Sequence, residues 1–315
     1  MNSKINDIKK EIQKLVVGHT QLVDSLLIGL ISDGHILVEG VPGLAKTTAI
    51  NAIAASLGIE FKRIQFTPDL LPSDITGTEI YSPKTGEFSI KHGPVFTNLL
   101  LTDEINRAPA KVQAALLEVM QERQVTIGDE SFKVPNPFLV MATQNPIESE
   151  GACRLPEAQL DRFMMKVNVG YNTLEQEMEI VSRVAISGFE TINQVASVDD
   201  LINIKQNLKK IHVDEALRKY MAQIVFATRN PREYGIDEIA DFIEFGASPR
   251  ANIDLYKASV ANAFIRGNDF VTPLDISSVV TSVLRHRIIL NYKAQAANID
   301  TDYIVKQIML NIKNP

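Results

Sequence analysis

The 315-residue chain holds one cysteine, Cys153, so no disulfide can form within it. That usage fits a reducing compartment. Long apolar runs are also missing: the longest clean one, Leu26 to Ile31, falls far below the ~20 residues that a membrane-crossing helix needs. The first fifteen residues, MNSKINDIKKEIQKL, carry charge throughout and lack the apolar stretch of a secretory signal. These absences predict a soluble, cytoplasmic protein with no membrane span. A positive excess is absent too, since 32 Lys+Arg stand against 38 Asp+Glu, for a net charge of −6. Gripping nucleic acid requires a basic surface, so no nucleic-acid partner is expected. The five histidines show no HExxH or CxxC spacing, which excludes the usual transition-metal sites. There is no internal repeat and no low-complexity segment. What the chain does have is apolar side chain, 45% of residues, enough for a sizeable core.

Apolar residues Ile5, Ile8, Ile12, Leu15 and Val16 repeat at helical spacing, break at Gly18, and a second amphipathic stretch follows to residue 31. His35–Glu39, Phe61–Phe66, Asn98–Thr102 and Phe138–Thr143 read as strands. Runs such as NLLLT and FLVMAT lose alternation because both faces are buried, as in a parallel sheet flanked by helices. Helices expected over 46–57, stopped by Gly58, and over 109–122 complete a repeated βαβ pattern. Residues 79–91 and 123–134 place Gly between short alternating segments and predict two inserted β-hairpins. Past about residue 170 the strands stop, and helical periodicity runs over 173–185, 199–210, 213–229, 248–265, 273–287 and 300–312. Asp199, Asp214 and Thr272-Pro273 supply the helix starts. The expected fold class is α/β: a three-layer αβα core with a parallel sheet over residues 1–170, then an all-α domain over 171–315. Met120, Met164 and Met165 read as core filler.

The chemistry begins at Gly40-Val41-Pro42-Gly43-Leu44-Ala45-Lys46-Thr47, between a strand and a helix. In a phosphate-binding loop, backbone N–H groups and the helix N-terminus cradle phosphates, Lys reaches the β/γ oxygens and Ser/Thr ligates Mg²⁺. Ala45 stands where GxxxxGK[ST] has its second Gly. The strand Asn98–Thr102 then delivers two carboxylates, Asp103 and Glu104, at its C-terminal end, where open α/β sheets bind ligands. Asp103 suits the Mg²⁺ shell, and Glu104 suits deprotonating an attacking water. A third strand ends in Gln144-Asn145, placing a polar side chain beside that carboxylate strand.

With these elements in place, the runs GVPGLAKT, LLLTDEINRAPAKVQAALLEVMQE, ATQNPIE, LPEAQLDRF, GASPRA and LRHRI resemble the MoxR family of AAA+ ATPases, in that family's order and spacing from about Val16 to Leu290. The family also carries Ala before the Walker A lysine. The resemblance implies a P-loop core followed by a helical lid, with ATP at their junction and at a subunit interface in a homo-oligomeric ring, commonly a hexamer. It implies nucleotide contacts from Gly40, Pro42, Gly43, Leu44, Ala45, Lys46, Thr47 and Thr48, with Lys46 and Thr47 as the Walker A pair. Mg²⁺ then rests on Thr47 and Asp103, Asp103 and Glu104 form the Walker B pair, and Asn145 is the first sensor. Arg162 in LDRF resembles an arginine finger offered to the neighbouring subunit, and Arg250 in GASPR the second sensor. His19, after Val17-Gly18, falls where the family's segment contacts adenine. The two hairpins resemble the helix-2 insert and the hairpin before sensor 1, which face the central pore in this clade. One departure is Cys153-Arg154, where the family has an aromatic and Pro; it leaves Arg154 as an alternative finger. Arg107, just past Walker B, receives no role.

The resemblance adds a chaperone-like function, maturing or assembling partner proteins, often together with a von Willebrand factor A domain protein. No DxSxS-type metal motif is in this chain, so that partner would be a separate protein. Other readings remain open at this point. A nucleotide-gated scaffold with little turnover is opposed by the intact Glu104. A DNA-acting motor is opposed by the balanced hairpin charges: Lys84 and Lys91 against Glu79 and Glu87, Arg123 and Lys133 against Asp129 and Glu130. A magnesium-chelatase-like activity is a further alternative.

Overall fold

The structure, a computed structural model, describes residues 3–41, 43–84, 86–146, 153, 155–186, 188 and 190–315. The chain divides into two compact units. A sheet unit holds residues 6–156 and 167–201, and a helical unit holds 202–315 together with 157–166 and residues 3–5. The sequence reading drew one boundary at 170; here residues 157–166 group with the helices and 167–201 with the sheet.

The chain begins with α1 (Ser3–Leu15), whose first three residues count with the helical unit and whose periodic Ile5, Ile8 and Ile12 are fully buried, and the sheet unit goes on with α2 (Thr20–Ile31). It continues through β1 (Ile36–Glu39), α3 (Lys46–Leu57), β2 (Phe61–Gln65) and the short α4 (Pro72–Thr76). The expected hairpins follow as β3 (Gly77–Ser82) with β4 (Glu87–His92), and β6 (Gln124–Ile127) with β7 (Glu130–Lys133). Between them lie β5 (Leu99–Asp103) and α5 (Ala110–Glu122), and after them β8 (Leu139–Gln144). Next in the chain come α6 (Glu157–Leu160), counted in the helical unit, then β9 (Met165–Asn168) and α7 (Leu174–Val181). The five-stranded sheet has the order β2-β5-β8-β1-β9, and the pairs β2–β5, β5–β8 and β1–β8 are parallel. Leu37, Leu100 and Val140 in its middle have no exposed surface. Burying each such side chain contributes about 1.5–3 kcal/mol, which explains why these strands read as unbroken apolar runs. β2, at the sheet edge, is only half-buried.

β9 is a strand that the sequence reading did not expect. It lies at the sheet edge, and its residues MKVN include Lys166 and Asn168, so it lacks the unbroken apolar run that marks β1; Met165 is buried, as expected of core filler. Behind β1, the buried His35 accepts the Val140 N–H at Nδ1 (3.0 Å), while its Nε2 lies 3.1 Å from the Met120 carbonyl. Complete burial, with Arg123 nearby, pushes its pKa down to about 3.

The helical unit is built from α8 (Val198–Leu208), which starts at its border, α9 (Glu215–Ala227), α10 (Asp237–Ala240), α11 (Pro249–Ile265), α12 (Pro273–Leu284), α13 (Tyr292–Ala296) and α14 (Thr301–Asn311). Asp214 and Thr272 cap α9 and α12 as expected, the latter in a reciprocal capping box with Asp275 and with Pro273 at the first helical position. At α8 the cap is Ser197, which exchanges hydrogen bonds with Asp200, rather than Asp199. A two-stranded ribbon, β10 (Ile243–Phe245) with β11 (Ile289–Leu290), interrupts the otherwise helical unit. Strands of two and three residues are too short to leave a periodic signature. Among the described residues no helix is long and apolar enough to cross a membrane.

Candidate active site

The loop after β1 is built for close approach. Gly40 donates its N–H to the Gln144 carbonyl (3.2 Å), and a Cβ there would stand 2.6 Å from the Val169 carbonyl oxygen, so only glycine fits. Gly43 adopts φ +88, and Ala45 sits left-handed at φ 52 as the residue preceding α3. Ala45 thus takes the conformation for which related loops use glycine, at a modest strain cost. The N-terminus of the twelve-residue α3 follows directly, with its unpaired N–H groups and positive dipole end.

That loop forms one wall of a cleft of about 520 Å³. Gly43 to Thr48 line it together with Val17 and His19, the carboxylates Asp103 and Glu104, and Asn145. Arg63 and Gln65 from the end of β2, Thr143, Leu15, Asn172 and Ile180 complete the lining. Parallel pairing explains the convergence. The C-terminal ends of β1, β2, β5 and β8 all reach the same sheet edge, with Gln65 in register with Asp103 and Val38 with Thr143.

Lys46 donates to the Gly40 carbonyl (2.8 Å). Burial lowers its pKa, while Asp103 and Glu104 pull the other way and favour the ammonium. The two carboxylates are tied through one hydroxyl. Thr143 Oγ1 donates to Asp103 Oδ1 (2.5 Å) and accepts the Glu104 N–H (3.0 Å). Glu104 itself is left-handed, φ 57, a conformation that costs a non-glycine residue roughly 1–3 kcal/mol and persists where neighbours hold it. Its Oε2 accepts from Gln65 Nε2 (2.6 Å) and Arg107 NH1 (3.0 Å). Asp103 Oδ2 pairs with Arg63 (2.6 Å).

Mg²⁺ asks for hard oxygen donors, usually one or two carboxylates completed by substrate phosphates and water. Asp103 offers one carboxylate and Thr47 one hydroxyl to the same cleft, and among the described residues no group of three or more His, Cys, Asp or Glu stands ready to hold a metal by itself. The residues fit the ion, with Arg63 as the group that must yield Asp103 Oδ2.

His19 is half-buried on the cleft wall, left-handed at φ 48, and burial lowers its pKa. Its Nε2 has no hydrogen-bond partner among the described residues. Gly18 is not in the lining; its Cα faces Asn172 and Gln176 so closely that a Cβ would fall 2.7 Å from Asn172 Oδ1. Pro42 and Arg154 lie outside the described residues. Arg162 and Arg250 belong to the helical unit, where Arg250 NH1 approaches Asp161 Oδ2 at 3.6 Å. Sequence reasoning passed over Arg63, Gln65 and Thr143. The polar residues of FKRIQ were visible, but nothing in the sequence says that β2 pairs with β5.

Residues 35–165 match the family described as "ATPase family associated with various cellular activities (AAA)", and residues 238–308 match the AAA lid domain. The chain is 48% identical to Chaperone MoxR1 of Mycobacterium tuberculosis over 97% of its own length and 81% of that protein. It is 31% identical to Protein MoxR of Paracoccus denitrificans, over 92% of this chain and 90% of the relative. A crystal structure of a candidate ATPase from Cytophaga hutchinsonii superposes with a TM-score of 0.94 at 49% identity, covering 100% of this chain and 96% of that one. With a phosphate-type loop, a carboxylate pair on the neighbouring strand and a lid at their C-terminal side in sequence, the chain belongs to the MoxR family of AAA+ ATPases.

Proposed function

We propose that this protein hydrolyses Mg-ATP to ADP and phosphate and uses the cycle to remodel or mature partner proteins in the cytoplasm. The observation that carries the reading is the Asp103–Thr143–Glu104 linkage across the cleft from Lys46 and α3. In this reading Gly40, Pro42, Gly43, Leu44, Ala45 and Thr48 wrap the triphosphate with the α3 N-terminus, and Lys46 exchanges its Gly40 carbonyl for β/γ oxygens. Thr47 and Asp103 would hold Mg²⁺, which supplies neutralising charge on the phosphates. Glu104 takes the proton of a water whose oxygen bonds to the γ-phosphorus as the bond to the ADP oxygen breaks. Before that, its Oε2 must be released from Gln65 and Arg107. Asn145, 8% exposed at the end of β8, positions the water or the γ-phosphate. Val17, Gly18 and His19 form the base-binding side, with the unpartnered Nε2 of His19 available to a nucleobase.

We assign Arg250 as the second sensor and Arg162 as a finger acting on a neighbouring subunit, which makes a homo-oligomeric ring, commonly a hexamer, the working state. The chaperone name of a relative 48% identical supports client proteins as partners, with a separate von Willebrand factor A domain protein among them. Mixing tests the whole scheme. Lys46→Ala subunits lose ATP binding but keep the finger; Arg162→Ala subunits bind ATP but lack one. Each alone should hydrolyse poorly, a measured finger being worth roughly 10³–10⁵ in rate. Rings of both should regain part of the activity. No recovery in mixtures shown to co-assemble would refute action of Arg162 in trans.

A further inference from the structure

The turn that carries Arg162 is held by a side chain far away in sequence. Arg287, at the end of LRHR after α12, is 5% exposed and spends its guanidinium on that turn. Its Nε donates to Asp161 Oδ1 (2.9 Å), and its NH2 donates to the carbonyls of Asp161 (3.2 Å) and Phe163 (2.8 Å). NH1 reaches the Met164 carbonyl (3.3 Å) and turns back to the last turn of α12 at the Val283 carbonyl (2.9 Å). The adjacent His286 puts Nε2 2.9 Å from the same Phe163 carbonyl. Carbonyls on both sides of Arg162 are thereby fixed.

The same guanidinium ties this turn to α11. NH2 also donates to Asp254 Oδ2 (2.6 Å). Asp161, besides binding Arg287, accepts the Ser248 hydroxyl on both carboxylate oxygens (3.0 Å each), and Ser248 caps α11 by accepting the Arg250 N–H. Arg162 and Arg250 thus stand in one frame, joined through Asp161 and clamped by Arg287. Such a planar fork, with donors set for several acceptors at once, is what lysine cannot reproduce.

We infer that Arg287 is a positioning residue for hydrolysis, which fixes the Asp161–Met164 backbone so that Arg162 is presented in a set direction relative to Arg250. This rests on the reading of Arg162 as a finger, and the test separates the two. A mere buried ion pair would show its loss as reduced stability and equally weakened nucleotide binding. A positioning role shows it in turnover.

The experiment compares full-length Arg287→Lys, Arg162→Ala and the double variant by ATPase kinetics, titration with a fluorescent ATP analogue, and mixing with Lys46→Ala subunits. Lysine keeps a charge for Asp254 but loses the fork. Arg287→Lys should lower kcat by about 10²-fold, the scale of a small misplacement, with KM and analogue affinity within about two-fold of wild type. Mixing with Lys46→Ala should restore activity, because those subunits carry a correctly held finger. The double variant should be no slower than Arg162→Ala. Wild-type turnover in Arg287→Lys, a multiplicative loss in the double variant, or a matching loss of ATP affinity overturns the positioning role. Wild-type turnover in Arg162→Ala overturns the finger reading and the positioning role with it. Should Arg287→Lys not fold, Asp161→Asn weakens the same clamp at nearly constant volume and has the same arms.

Discussion

Removing one hydroxyl should disable the carboxylate pair. Thr143 is 1% exposed, and among the described residues its Oγ1 alone bonds both the Asp103 carboxylate (2.5 Å) and the Glu104 N–H (3.0 Å). Thr143→Val keeps the shape and deletes both bonds. A hydrogen bond to a charged acceptor contributes about 1.5–3 kcal/mol, and a half-buried donor left without a partner costs about 1–3 kcal/mol. These two figures overlap, because relaxation and water recover part of each, so a loss of about 3 kcal/mol is expected. The functional cost should exceed the loss of fold, since Glu104 is held at φ 57 with the help of this bond. Released, it relaxes away from the strained conformation and the water it should activate. Urea unfolding followed by circular dichroism measures the first effect, and phosphate release at saturating ATP the second. Thr143→Ser is the control: it restores the hydroxyl and loses one methyl, about 0.8 kcal/mol, so it should hydrolyse ATP near the wild-type rate. A valine variant within about 0.5 kcal/mol of wild type and equally active would refute the linkage. So would a serine variant as impaired as valine.

Two further outcomes follow from the same structure. Glu104→Gln keeps shape but cannot accept the water's proton, so it should bind ATP and turn over far more slowly, and affinity capture with it should retain partner proteins on an ATP-bound assembly; near-normal turnover would assign the base elsewhere. His35 has a folded pKa of about 3 against about 6.5 unfolded, so the unfolded chain takes up a proton that the folded one refuses. That stability is complete above pH 6.5 and is lost as pH falls toward 3, by about 2.5 kcal/mol between pH 7.5 and 4.5. The stability difference between wild type and His35→Gln should shrink by that amount over the interval, and a constant difference would show that the folded His35 accepts the proton.

The strands β1, β5 and β8 and the helices α3, α5, α9, α11, α12 and α14 were legible because burial imposes a pattern wherever an element is long enough to repeat it. Both hairpins were legible for a related reason, alternation closed by Gly86 and Gly128, each left-handed in the structure. Gly43 to Thr48, Asp103, Glu104 and Asn145, which line the cleft, stood out in the sequence because each follows a recognisable strand, and strand ends are where an open parallel sheet offers a cleft. β10 and β11, of three and two residues, left no period to read, and the edge strand β9 carries Lys166 and Asn168 in place of an apolar run. Which strands are neighbours is a long-range pairing that local sequence does not encode. For that reason Arg63, Gln65 and Thr143 became part of the site only once β2, β5 and β8 lay side by side. The same holds for Arg287, which lies 126 residues from the Asp161 that it binds. Its charge was plain in LRHRI, but a buried guanidinium takes its meaning from the carbonyls and carboxylates folded around it, and only tertiary packing brings those together.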